Sequence, residues 1–166
     1  MKIVKFLITL LFLFCGLCLY PQVGYAIFTP NCQSKAYLYK SAYSMHIVDS
    51  IVNDSVAEVF YCVSINKAKR KRALVSTFVG GGLIPHWGWL EWDNLGIRMT
   101  SDTVPIRKKP NRNTAIVDTL YMSPWRNIYP IKKAKNRWLY LVDRNRSVKG
   151  WVAPEYQCPN PYTTCN

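Results

Sequence analysis

Beyond an unbroken apolar stretch at its start, the chain alternates short runs of Val, Ile, Tyr, Trp and Leu with turn residues. No segment keeps a 3.6-residue apolar period, so the pattern predicts strands rather than helices. One set is expected over Tyr37–Lys40, His46–Val52, Val56–Val63, Ala73–Phe78 and Trp89–Trp92. A second is expected over Val104–Arg107, Ala115–Tyr121, Trp125–Tyr129, Trp138–Val142 and Val148–Ala153. Pro105 sits at a strand start, where a missing N–H is tolerated. Gly80-Gly81-Gly82 and Pro85 predict a loop over 79–86. The fold class that follows is all-β.

The apolar start reads as a leader. Lys2 and Lys5 form a short positive region, Phe6 to Leu19 carries no charge, and Gly24-Tyr25-Ala26 sets small residues before a cleavage point. This is the three-part pattern of a secretory signal peptide over residues 1–26. A spanning helix needs roughly 20 apolar residues, and this run is shorter and soon meets Pro21 and Gln22. Lipidation does not fit, because Cys15 follows Phe14 and Cys18 follows Leu17 where a small residue is expected. The mature chain is expected to begin near Ile27, to touch a membrane only through the leader before cleavage, and to be periplasmic or secreted.

The two strand sets match one another. Ile47-Val48-Asp49-Ser50-Ile51 corresponds to Ile116-Val117-Asp118-Thr119-Leu120, and Gly88-Trp89-Leu90 to Gly150-Trp151-Val152. Upstream, Tyr39-Lys40 is aligned with Ile106-Arg107. Asp49 precedes Gly88 by 39 positions and Asp118 precedes Gly150 by 32, so the first copy carries an extra loop. Such ordered self-similarity points to duplication.

The second copy resembles the bacterial SH3 (SH3b) family. The residues that carry the resemblance are Val104-Pro105-Ile106-Arg107-Lys108-Lys109-Pro110, Ala115 to Leu120, Trp138-Leu139-Tyr140-Leu141 and Lys149-Gly150-Trp151-Val152-Ala153-Pro154-Glu155-Tyr156. The resemblance is clearest over 103–156, with a diverged copy over 35–95. Asp118 stands where the family has Gly, and Ser123-Pro124-Trp125 replaces a Gly-containing turn. What the resemblance implies is a tandem of small SH3-like barrels, a diverged SH3b-like unit over 27–95 and a second over 96–157; residues 158–166, with Cys158 and Cys165, are separately expected to form a disulfide-linked tail. It also implies binding to cell-wall peptide, or a targeting role.

Strand alternation sorts the aromatics. Leu139 and Leu141 share the core face, and Trp138 and Tyr140 share the other. The expected ligand groove is lined by Trp138 and Tyr140 and flanked by Trp125 and Trp151; a role for these rings as simple core cover is the alternative.

Charge narrows the partners. There are 22 Lys and Arg against 9 Asp and Glu, a formal net charge of +13. The excess lies mostly after residue 96, where thirteen basic residues face four acidic ones. A basic patch is expected on two hairpin tips, Lys67, Lys69, Arg70, Lys71 and Arg72 on one, Lys132, Lys133 and Lys135 on the other. In an exported chain such runs point to an anionic wall polymer or an acidic protein rather than to nucleic acid. Cys32, Cys62, Cys158 and Cys165 remain after the leader, an even number suited to an oxidising compartment. Three pairings are possible, and Cys32–Cys62 with Cys158–Cys165 keeps each bridge within one half. No zinc spacing is present.

No catalytic constellation emerges. His46 and His86 are the only histidines. His46 falls in a strand and His86 in the Gly loop, and a nucleophilic pair of Cys32 or Cys62 with His86 lacks a surrounding motif. No Gly-rich phosphate loop leads from a strand into a helix. The chain is therefore expected to be a non-enzyme without cofactor or metal. It would bind peptidoglycan or another envelope polymer or, as the alternative, act as a periplasmic immunity or inhibitor protein on an acidic partner.

Overall fold

A computed structural model describes residues 24–28, 35–52, 61–78, 86–121, 128–143 and 148–159. The chain is all-β. The first half contains β1 (Gly24–Phe28), β2 (Lys35–Tyr39), β3 (Ile47–Val52), β4 (Cys62–Ala68), β5 (Arg72–Phe78), β6 (Trp87–Glu91) and β7 (Leu95–Met99). The second contains β8 (Thr103–Arg107), β9 (Ile116–Tyr121), β10 (Tyr129–Lys135), β11 (Trp138–Asp143), β12 (Val148–Val152) and β13 (Gln157–Cys158). Two 3₁₀ turns, Trp92–Asn94 and Pro154–Tyr156, follow β6 and β12.

The strands join one antiparallel sheet in the order β3-β2-β6-β5-β4-β1-β7-β10-β11-β12-β8-β9, with β13 paired to β7. Its core face follows from alternation. Val63, Ile65, Ala73 and Val75 are buried in the first half, and Ile131, Leu139, Leu141 and Val152 in the second, in one continuous cluster.

The halves repeat the same pairing. The β4–β5 hairpin shifts register between Ile65 and Lys67, and β10–β11 between Ile131 and Lys133. These shifts superimpose Ile65-Asn66-Lys67-Ala68-Lys69 on Ile131-Lys132-Lys133-Ala134-Lys135. Asp49 accepts from the Ser50 N–H and Asp118 from the Thr119 N–H, both at 2.7 Å. Gly88 and Gly150 hold the same φ of 159°. A Cβ on Gly150 would stand 2.4 Å from Ile106 Cγ2 and 3.0 Å from the Arg107 carbonyl, and one on Gly88 would stand 2.9 Å from Leu38 Cβ. Glycine at the closing Gly-Trp segment thus lets two strands approach. Tyr39 pairs with Trp89 as Arg107 pairs with Trp151. Tyr39 therefore matches Arg107, not Ile106, and the sequence alignment at this point is one residue out.

β7 explains why the sheet is continuous. β1 pairs with β4 and β7, and β7 in turn pairs with β10 and β13. One strand closes the first half and opens the second, so the expected boundary between 95 and 96 falls inside it. Leu95, Ile97 and Met99 put a buried apolar side chain at every second position of β7, a strand outside those expected from the sequence pattern.

Other expectations shift as well. The predicted strands Val56–Val63 and Trp125–Tyr129, and the loop 79–86, lie largely outside the described residues. The basic runs divide between strand and hairpin tip: Lys67 lies in β4, Arg72 begins β5, and Lys132, Lys133 and Lys135 belong to β10, whereas Lys69, Arg70 and Lys71 occupy the turn between β4 and β5. In the second hairpin the reason is the shortness of the turn. Asn136 and Arg137 sit at φ 50° and 68° between the paired Lys135 and Trp138, the arrangement of a type I′ hairpin.

β1 runs across the expected cleavage point. Gly24, Tyr25 and Ala26 pair with Ile65, Ser64 and Val63, and Ala26 is fully buried. Each ladder hydrogen bond contributes about 1 kcal/mol, and a buried methyl adds to that. A chain beginning at Gly24 is expected to be more stable than one beginning at Ile27 by about 2 kcal/mol on these terms, and so to unfold at a higher urea midpoint. Equal midpoints in equilibrium urea unfolding would show that the three residues add nothing to the sheet.

Candidate ligand-binding face

Directly paired residues of neighbouring strands share a face. In the second half this rule builds a row across four strands: Lys133 of β10 opposite Tyr140 of β11, Tyr140 opposite Trp151 of β12, and Trp151 opposite Arg107 of β8. Leu139 and Leu141 point the other way, into the core. The Tyr140 and Trp151 rings meet edge to face, with centroids 5.4 Å apart and planes at 72°. This contact is worth about 1 kcal/mol beyond its buried area. Lys133 Nζ lies 5.3 Å from the Tyr140 ring centroid, in cation–π range. Both rings are half-buried, so each still offers part of its surface to solvent.

Arg107 closes the far end of the row. Its Nη1 donates to the Thr114 carbonyl at 2.6 Å, which ties down the segment between β8 and β9. Thr114 Oγ1 donates to the Lys109 and Asn111 carbonyls, at 3.1 and 2.8 Å. The wall beside the aromatic pair is thereby held by local hydrogen bonds.

Three of the four expected groove residues are described. Tyr140 and Trp151 are brought together. Trp138 shares their face but is only 7% exposed, so it is cover for the sheet rather than open surface. Gln157 Nε2 donates to the Arg137 and Val152 carbonyls, at 2.9 and 3.0 Å, and so ties the C-terminal segment to the turn before Trp138. Trp125 lies outside the described residues. Arg107 was missed; the register through the Gly-Trp segment was the signal that could have found it.

The corresponding row in the first half is Lys67, Leu74, Trp89 and Tyr39. Here the position of Tyr140 is taken by Leu74, which is buried, Tyr39 and Trp89 are half-buried, and the Arg72 guanidinium lies 3.5 Å from the Tyr39 ring centroid. Arg72 Nη1 donates to the Ser44 carbonyl and, at 3.4 Å, to the Ser41 carbonyl, while Nη2 reaches Glu91 at 3.4 Å. Arg72 is 6% exposed, which removes it from the expected basic patch. A planar cation that stacks and fills carbonyls is a structural clamp here. Lys67, Lys69, Arg70, Lys71, Lys133 and Lys135 remain exposed, and Lys132 is half-buried in an ion pair with Asp93.

Cys62 is a free thiol, so the expected Cys32–Cys62 bridge is not formed. Its Sγ donates to the Pro159 carbonyl at 3.1 Å, which turns it toward the C-terminal segment. Cys158 is buried; Cys32 and Cys165 lie outside the described residues. Burial pushes the Cys62 thiol above its ordinary pKa, which lowers its thiolate fraction and its nucleophilicity at neutral pH. His86 turns to other partners. Its Nδ1 is 2.7 Å from Asp49 Oδ2, its N–H donates to Thr77 Oγ1 at 2.7 Å, and its ring stands edge to face with Tyr61. The pair Asp49–His86 ties β3 to the start of β6. Among the described residues no cluster of three or more His, Cys, Asp or Glu could hold a metal ion.

No known protein-family model matches the chain, and no curated protein is significantly similar to it.

Proposed function

We propose that this is an exported, non-catalytic binding protein, built of two SH3-like units that share β7. On this reading it recognises peptidoglycan or another envelope polymer through the Tyr140–Trp151 face. The observation that carries the reading is the row Lys133–Tyr140–Trp151–Arg107. It sets a partly exposed, edge-to-face aromatic pair between two cations, where the first-half row has the buried Leu74 in the place of Tyr140. Aromatic faces suit sugar rings and peptide backbone, and flanking cations suit the carboxylates of wall peptides. The repeated pairing pattern, the shared glycine geometry and the Gly-Trp closing strands support the SH3-like assignment. A leader at the start of the chain and a location in the periplasm or outside the cell belong to the same reading.

A second reading has its own support. Edge strand β9 exposes Ile116 at 54%, Val117 at 50% and Tyr121 at 70%. An exposed apolar edge suits strand addition by another protein, as an immunity or inhibitor protein acting on an acidic periplasmic partner would require.

Co-sedimentation with purified sacculi separates the two. Wild-type protein is expected in the pellet, and Trp151→Ala is expected to weaken retention by roughly tenfold, since loss of a stacking ring costs about 1–3 kcal/mol. A soluble wild-type protein that instead captures an acidic periplasmic protein would favour the second reading.

A further inference from the structure

Where the two halves meet, the 3₁₀ turn Trp92–Asn94 faces β10 across a cleft of about 480 Å³, lined by Arg70, Lys71, Glu91, Trp92, Asp93, Lys132 and Lys133. Its charges are unevenly spent. Glu91 is engaged by Arg72 and Asp93 by Lys132. Among the described residues Arg70, Lys71 and Lys133 make no ion pair, so three cations line the cleft without a carboxylate of their own. Trp92 is held in place by its Nε1, which donates to the Lys69 carbonyl at 2.8 Å, and supplies an apolar wall. Lys133 belongs to both places: it lines this cleft and lies against Tyr140.

We infer that this cleft is an anion subsite for a carboxylate or phosphate borne on the envelope glycan that rests on Tyr140 and Trp151. The inference rests on the proposed function for the identity of the polymer, but the site itself stands on its own cations. Arg70 supplies a planar fork for two oxygens, and Lys71 and Lys133 supply point charges. The ion pairs Arg72–Glu91 and Lys132–Asp93 neutralise the acids that would repel such a group. Sharing Lys133 joins the subsite to the aromatic pair, so one extended ligand can contact both.

The test uses the purified exported protein, its tryptophan fluorescence, and two probes in low-salt buffer. The first probe is soluble wall fragments released from sacculi by a muramidase, used native and after carbodiimide amidation of their carboxyls. The second is inorganic pyrophosphate. Native fragments are expected to bind roughly tenfold more tightly than amidated ones and to weaken steeply with added salt. The double variant Arg70→Glu, Lys71→Glu is expected to erase both differences and to abolish the pyrophosphate response, while keeping the wild-type urea midpoint. Trp151→Ala is expected to weaken native and amidated fragments alike and to leave the pyrophosphate response intact. If fragments bind and the double variant keeps their affinity and salt dependence, the subsite is overturned and the aromatic face survives. If no fragment binds but pyrophosphate does, and the double variant loses it, the polymer reading fails and the anion site stands. If neither probe binds, both fail.

Discussion

Trp138→Ala is expected to lower folding stability by about 3–5 kcal/mol, the usual cost of emptying a buried Trp site. It is also expected to leave ligand affinity per folded molecule unchanged. Trp138 is 7% exposed and begins β11, directly after the type I′ turn at Asn136 and Arg137. The carbonyl of its neighbour Arg137 also accepts from Gln157 Nε2, so strain at this turn reaches the C-terminal segment. Equilibrium urea unfolding gives the stability, and fragment binding at low urea gives the affinity. Trp138→Phe should recover most of the loss. A variant with wild-type stability and no binding would return Trp138 to the groove.

The second large effect is expected at Arg72. Arg72→Ala removes a cation stacked on Tyr39 and the donor that fills the Ser41 and Ser44 carbonyls. The expected cost is about 2–4 kcal/mol, reduced from the fully buried case because Glu91 is half exposed and regains water. Arg72→Lys keeps the charge but loses the planar stack and the fork, so it should fall between the two. The damage should be local. The 41–46 segment is pinned by this side chain and closed by the Lys40 N–H to His46 carbonyl bond at 2.9 Å. Hydrogen exchange at the Lys40 amide should accelerate in Arg72→Ala more than exchange in β11. Unaltered exchange at Lys40, with normal stability, would contradict the clamp.

These residues show where a sequence is readable and where it is not. Two-residue alternation placed Leu139 and Leu141 inside, and the repeated Ile-Val-Asp and Gly-Trp segments fixed corresponding strands of the two halves. Alternation cannot say what lies on a strand's outer face. Trp138 and Tyr140 are equivalent by pattern, yet one is covered and the other half open. Charge density misled in the same way. Arg72 closes the densest basic run but is the one member that folds inward, because Tyr39 and two carbonyls stand beneath it. β1 was read as the end of a leader, since small residues after an apolar run fit a cleavage point as well as they fit a strand that approaches Leu139 closely. β7 carried a legible Leu95, Ile97, Met99 alternation. A division of the chain into separate halves hid it, because that division leaves no place for a strand serving both. The bridge expected at Cys62 came from sequence proximity, whereas the fold turns this thiol toward Pro159, 97 positions away.

The most direct measurement is amide chemical-shift mapping of the isotopically labelled protein during titration with soluble wall fragments. Saturable shifts are expected, centred on Lys133, Tyr140, Trp151 and Arg107 and extending to Arg70 and Lys71, with the first-half row at Leu74 and Trp89 unmoved. Shifts confined to edge strand β9, or none at millimolar fragment, would contradict the proposed binding face.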